Sequence, residues 1–202
     1  MIARLLIYIK HNLPLLWDCV EWLNALLYKF FHAKKVSRVL QETIDSHTLS
    51  PFIFRALEEA DLFQLENLLN NQSATRVAFF KPHKFDFKSL KKAYRNPSFI
   101  MMGVFSGSAM AGYFFLRCFW NKKCFVGRLI DESYDGKGIG RVMNDIMYNI
   151  GWGAGFKILS TISRNNRLVM RSHANNPAMR IIKELPGDYL LVEFVKPGNQ
   201  ES

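Results

Sequence analysis

Apolar residues follow two rhythms along this chain. Phe52 to Leu57, Phe99 to Phe105, Ala111 to Trp120, Cys124 to Ile130, Phe156 to Ile162, Met179 to Leu185 and Tyr189 to Val195 are short apolar runs, and turn-forming residues bound many of them. Runs of this length and content predict strands. Ser106-Gly107-Ser108 and Pro186-Gly187-Asp188 carry hairpin-turn chemistry, and Asn121-Lys122-Lys123 turns the chain into Cys124. Elsewhere the spacing is helical. Leu62, Leu65, Leu68 and Leu69 form a stripe behind the acidic Glu58 to Asp61, which suits a helix N-terminus. Val142 to Tyr148 reads as a helix that stops in Gly151-Trp152-Gly153-Ala154-Gly155, and Leu168 to Ala174 as a shorter one.

The first 48 residues carry only the helical rhythm: Leu5, Ile9, Leu13, Leu16, Val20, Leu23, Leu27 and Phe31, widened by Trp17, Trp22, Tyr28 and Phe30. Pro14 either kinks this helix or begins a second one after Asn12. Lys10, Asp18 and Glu21 interrupt the stripe well short of the roughly 20 apolar residues a membrane span needs, and no small-residue cleavage site marks a secretory signal. Residues 1–48 are therefore an amphipathic helical appendage to a domain over 49–202. The helices cap that domain, pair with a second copy in a homodimer, or lie on a membrane surface. Such stripes are usually core or interface. Yet Arg4, Lys10, Lys29, Lys34, Lys35 and Arg38 outnumber Asp18 and Glu21, which suits peripheral contact with anionic lipid.

Composition narrows the classes. With 49% hydrophobic and 14% aromatic residues in 202, a core is affordable. Cys19, Cys118 and Cys124 form no metal-like cluster, and the five histidines are scattered, so no metal is expected. Cys118 and Cys124 flank a turn and could pair, but reduced thiols in a cytoplasmic protein are the simpler reading. The net charge of +10 admits nucleic acid, anionic membrane or a phosphorylated ligand. The basic clusters Lys81–Lys92 and Lys29–Arg38 match no nucleic-acid module, so solvated faces and a phosphorylated small molecule are expected, not nucleic acid.

The chemistry concentrates in Tyr134-Asp135-Gly136-Lys137-Gly138-Ile139-Gly140-Arg141, a glycine turn between a strand and a helix. Glycines let the backbone approach an anion, and free N–H groups at a helix N-terminus attract it. The turn is no P-loop, since Gly-Lys-Ser/Thr is absent, and Arg141 occupies the third glycine of the dinucleotide fingerprint. Asp135-x-x-Gly138-x-Gly140 resembles the acyl-coenzyme A loop of the GNAT acyltransferase superfamily, where Arg or Gln usually opens the motif. The order of strands and helices over about 52–196, the Asn165-Asn166-Arg167 turn and the closing hairpin resemble that family too.

The resemblance implies an α/β (α+β) fold, with a mixed, mostly antiparallel central sheet, flanking helices and the N-terminal helical appendage. It implies acyl transfer, chiefly of acetyl, from acetyl-coenzyme A or another acyl-coenzyme A to a primary amine of a small molecule. In this reading Leu129 and Ile130 supply the strand end whose N–H binds the thioester oxygen. Gly136, Lys137, Gly138, Ile139, Gly140 and Arg141 hold the diphosphate, and Asn166 meets the pantetheine arm. Asp135 departs from the pattern. A carboxylate is unfavourable beside a diphosphate, so it is expected to turn towards Lys137 or Arg141. His173 stands seven residues after Asn166, where the family often has a tyrosine, and is the candidate general acid. Asp131 and Glu132 are candidate bases. His83, in the long loop from Ser73 to Asn96 over the acceptor side, is a third candidate and a substrate contact. Arg128 replaces an acidic residue of several relatives and would bind an acidic acceptor, such as a nucleotide-linked amino sugar or an amino acid. Asp135 and His173 leave open a non-catalytic module that binds acyl-coenzyme A or is structural. The N-terminal residues leave open a membrane-associated enzyme acting on an envelope precursor at the inner face of the membrane.

Overall fold

A computed structural model describes residues 14–174 and 176–198. Leu5, Ile9 and Leu13 of the N-terminal stripe, with Arg4 and Lys10, lie outside them. The elements in chain order are α1 (Pro14–Phe31), α2 (Ala33–Ser46), β1 (Phe52–Ala56), α3 (Leu62–Asn70), the single turn α4 (Ala74–Val77), α5 (Phe87–Tyr94), β2 (Phe99–Ser106), β3 (Ala109–Cys118), β4 (Lys123–Ile130), α6 (Ile139–Ala154), β5 (Lys157–Ser163), α7 (Arg167–His173), β6 (Met179–Leu185) and β7 (Tyr189–Phe194). The seven strands form one sheet in the order β1-β2-β3-β4-β5-β7-β6. Every pairing is antiparallel except β4 with β5. This is the mixed, mostly antiparallel sheet with flanking helices that the sequence led us to expect.

The central strands are apolar throughout because both of their faces are covered. Alternation then assigns each side chain to a layer. Met102, Val104, Phe114 and Leu116 join the core under α6, while Met101, Phe105, Tyr113 and Phe115 join Leu62, Leu65 and Leu69 of α3 and Leu90 of α5. Gly103 and Gly127 leave room in the second layer for the rings of Phe105 and Phe115: an added Cβ would lie 2.7 Å from each. The α2 helix and the C-terminal end of α1 lie on the α6 side, while the earlier part of α1 reaches Arg117 and Lys92 of the other layer through Glu21 and Asp18. Tyr28 and Val36 are buried in that core, and Val39 packs against the open space of Gly153.

The stretch Ser73–Asn96 is not one long loop, as expected of an acceptor-side segment. It contains α4 and α5, and Asp86 caps α5 by accepting a hydrogen bond from the Ser89 N–H at 3.0 Å. Cys118 and Cys124 face each other across β3 and β4 as buried, free thiols.

Candidate functional site

The parallel pair β4–β5 is short. Lys123, Cys124 and Phe125 pair with Lys157, Ile158 and Leu159, and beyond them the strands diverge. The Ser160 hydroxyl, donating to the Val126 carbonyl at 3.1 Å, is a last tie across the widening gap. The gap opens a cleft of about 1360 Å³ lined from both faces of the sheet. On the α6 face it meets Arg128, Asn144, Tyr148, Asn166, Ser172 and His173. On the other it meets Arg76, Phe79, Phe80, Phe99 and Phe115.

The ladder phase fixes where the β4 amides point. Hydrogen-bonded and non-hydrogen-bonded pairs alternate in an antiparallel ladder. The Asp131 N–H donates to the Ala111 carbonyl at 2.9 Å, and the Phe119 N–H to the Lys123 carbonyl at 2.8 Å. Odd-numbered β4 residues therefore bond to β3, and the amides of Arg128 and Ile130 face the gap. The Arg76 Nε donates to the Ile130 carbonyl at 3.0 Å from the gap side, in agreement with that phase.

Beyond Ile130, Asp131 caps a 3₁₀ turn, Glu132–Tyr134, and the glycine run follows. Gly136 (φ 74°) and Gly138 (φ 80°) are left-handed, a conformation side chains resist. Gly138 is the N-cap of α6 and offers no side chain to its first turn. The first bonds back to the Gly138 carbonyl come from Arg141 (3.1 Å) and Val142 (3.4 Å). That leaves the N–H groups of Gly138, Ile139 and Gly140 ahead of the helical ladder, at the positive end of a 16-residue helix. Gly140 has a different task. A Cβ there would stand 2.9 Å from Nη1 and 3.1 Å from Cζ of Arg128, so the glycine makes room for the guanidinium.

Asp135 turns neither to Lys137 nor to Arg141. Its carboxylate pairs with Arg76 of α4, a largely buried cation. Lys137 instead sits over the Tyr134 ring at 4.7 Å, and Arg141 is exposed on α6. Of the loop residues, only Asp135 and Gly136 line the cleft itself.

Arg128 does not face the acceptor-side wall expected of a substrate contact. Its Nε donates to Asn144 Oδ1 at 2.8 Å and its Nη2 to the Ser172 hydroxyl at 3.4 Å, which places the guanidinium between α6 and α7. Among the described residues no carboxylate lies within salt-bridge reach of it. Burial lowers its pKa from a very high starting value, so it remains a cation.

His173 is 6% exposed. Its ring is 5.2 Å from that of Phe194, and Nδ1 lies 3.2 Å from Asn176 Nδ2. Burial, then the Arg128 charge, push its pKa down to about 4. It is neutral at pH 7 and has no imidazolium proton to give, so its surroundings do not favour the general-acid role. Asn166 lines the cleft and caps α7 by accepting from the Val169 N–H at 3.2 Å.

The two acidic candidates separate. Burial would raise the Asp131 carboxyl, but hydrogen bonds from Ser133 and Gln72 outweigh it and hold the group below its ordinary value. With Gln72 Nε2 at 2.8 Å it is a structural cap outside the cleft lining. Glu132 is exposed and lines the cleft. His83 is also outside the lining. One ring nitrogen is 2.9 Å from the Tyr113 hydroxyl and the other 2.9 Å from the Lys84 carbonyl, so both are occupied in holding the loop before α5 to β3. Among the described residues no cluster of metal-binding side chains occurs.

Arg76 and the aromatic wall were not anticipated. Arg76 lies 59 residues before its partner Asp135, a separation that no local pattern reveals. In the wall, the Phe99 and Phe115 rings stack 5.0 Å apart and Phe80 leans on Phe115 at 6.2 Å.

No family model matches the sequence, and no curated protein matches it. Solved structures do match the fold. PaiA N-acetyltransferase from Thermoplasma acidophilum, in complex with coenzyme A, superposes with a TM-score of 0.62 at 16% identity, over 72% of this chain and 99% of that one. The GNAT domain of PAT from S. lividans gives 0.60 at 12% identity, over 70% and 88%. Spermidine N-acetyltransferase from Vibrio cholerae, in complex with coenzyme A and spermine, gives 0.57 at 19% identity, over 71% and 93%.

Proposed function

We propose that this chain, which has the fold of the GNAT acetyltransferases, is an N-acyltransferase that uses acetyl-coenzyme A or another acyl-coenzyme A and a small-molecule primary amine. One observation carries the reading. The gap between β4 and β5 receives the Arg128 and Ile130 amides and opens beside the uncapped N-terminus of α6. A thioester and a diphosphate require donors in that relation.

The residues divide the work. The Gly138, Ile139 and Gly140 amides hold the diphosphate, with Lys137 and Arg141 adding charge at the mouth. The pairing of Arg76 with Asp135 removes the anion that would oppose it. Asn166 meets the pantetheine arm, and the Ile130 N–H donates to the thioester oxygen as negative charge develops there. The neutral amine enters from the Phe80 side. As the C–N bond forms and the C–S bond breaks, the amine proton leaves to Glu132 through water. Arg128 stabilises the departing thiolate by charge, and solvent protonates it. This replaces a general acid at His173.

The acceptor side favours an amine with an apolar or aromatic body, because Phe80, Phe99 and Phe115 form its wall. The neutral, buried His173 is what favours the second reading, a module that binds acyl-coenzyme A without turnover.

Thiol release from acetyl- and longer acyl-coenzyme A over a panel of aromatic, amino-acid and polyamine acceptors tests the proposal. We expect release above the amine-free rate with an aromatic or apolar amine. Cofactor binding with no release on any amine would leave the non-catalytic reading.

A further inference from the structure

We infer that the outer face of α1, with the turn after β3, docks on an anionic lipid surface. This stands independently of the acyl-transfer reading. The inner face of α1 is spent on the core: Tyr28 is buried, Asn24 Nδ2 donates to the Cys118 carbonyl at 3.2 Å, and Glu21 pairs with Arg117. The outer face is apolar as well. Trp22 is 66% exposed, Phe30 83% and Phe31 60%, and Leu16, Leu23 and Leu26 continue the same side of the helix. Trp120, 53% exposed, is held against this helix by its backbone: its N–H donates to Asn24 Oδ1 at 3.1 Å, and its carbonyl lies 2.8 Å from His32 Nε2. A contiguous apolar face of this kind marks an interaction site.

Charge identifies the occupant. The acidic residues of α1 are consumed internally, Asp18 by Lys92 and Glu21 by Arg117. Lys29, Lys34, Lys35 and Lys122 are exposed, and none has a carboxylate within 4.0 Å among the described residues. Lys29 on α1 and Lys122 in the turn beside Trp120 thus set unpaired cations next to the apolar face, on a chain of net charge +10. A second copy docking about a two-fold axis would bring these lysines towards one another. An anionic headgroup layer satisfies them while the Trp and Phe side chains enter the boundary beneath it. No helix of the described residues is long and apolar enough to cross a membrane, so the contact is interfacial.

The test is flotation of the full chain with phosphatidylglycerol vesicles and with phosphatidylcholine vesicles, alongside sedimentation velocity without lipid. We expect binding to phosphatidylglycerol that salt reverses, with a blue shift of tryptophan emission. Trp22→Ser with Phe30→Ser should weaken binding at least about tenfold. Lys29→Glu with Lys122→Glu, a pair that leaves the apolar residues intact, should weaken it at least about fivefold for each lysine that faces the surface. Failure to bind phosphatidylglycerol, or equal binding to both vesicles, would overturn the proposal. So would a dimer that the Trp22/Phe30 substitutions dissolve in the absence of vesicle binding, which would assign the face to a second copy.

Discussion

In the proposed cofactor site Asp135 is the residue of the glycine run that would oppose a diphosphate, and Arg76 pairs with it. The glycine spacing was legible because it is local. The salt bridge was not, because a contact over 59 residues depends on where α4 lands, and no periodicity encodes that. Arg76→Ala should leave a bare carboxylate at the loop and weaken acetyl-coenzyme A binding by roughly tenfold. The double variant Arg76→Ala/Asp135→Asn should recover most of the loss by calorimetry; if it binds no better than Arg76→Ala, the neutralising role is wrong. His173 was likewise found by spacing, but its environment was invisible in sequence. Its folded pKa, about 4, lies below the ordinary value of 6.5. The unfolded chain therefore takes up a proton that the folded chain refuses. This contribution to stability is complete above about pH 6.5 and is lost as pH falls towards 4. Burial lowers the pKa of His83 in the same direction. Unfolding by urea should show about 2 kcal/mol less stability from His173 alone at pH 5 than at pH 7. His173→Gln should flatten that slope, and an unchanged slope would contradict the assignment.

At the scale of elements, the sequence served best where turns bound apolar runs. The last hairpin, β6 and β7 around Pro186-Gly187-Asp188, begins at the expected residues and ends within one of them. The α5 helix was missed although its signals are present: Asp86 is a good N-cap and Phe87, Leu90 and Tyr94 are helically spaced. The helix buries only Leu90 fully, so its apolar stripe is thin and easily passed over beside the stronger patterns. The seat of α6 on the sheet was also hidden. The run Gly151–Gly155 holds the helix stop, but at its last glycine: Gly155 is the left-handed C-cap, while Gly151 lies inside the helix, where an added Cβ would stand 1.8 Å from Ile158 Cδ1 on β5. Gly151→Ala should therefore destabilise the fold by about 1–3 kcal/mol through overpacking, despite the gain in helix propensity. A denaturation midpoint equal to or above that of the parent would show that Ile158 yields freely.

At the scale of the whole molecule, a cleft that passes through the sheet joins a basic, glycine-edged side to an aromatic one. The succession of strands and helices along the chain was readable from the sequence, but the divergence of β4 from β5 was not, because it lies in the relation between two strands joined through α6. The helical character of residues 14–46 was readable too, whereas the division of α1 into a buried face and an exposed one required the sheet beneath it. The central claim is that the N-terminus of α6 beside this divergence binds an acyl-coenzyme A. Titration calorimetry of the full chain with acetyl-coenzyme A tests it most directly, comparing the parent with Gly138→Glu, which strains a left-handed position and adds a carboxylate at the helix N-terminus. The account predicts saturable one-site binding in the micromolar range typical of such co-substrates, and no measurable binding in the variant. Absence of binding in the parent, or the same affinity in both proteins, would contradict it.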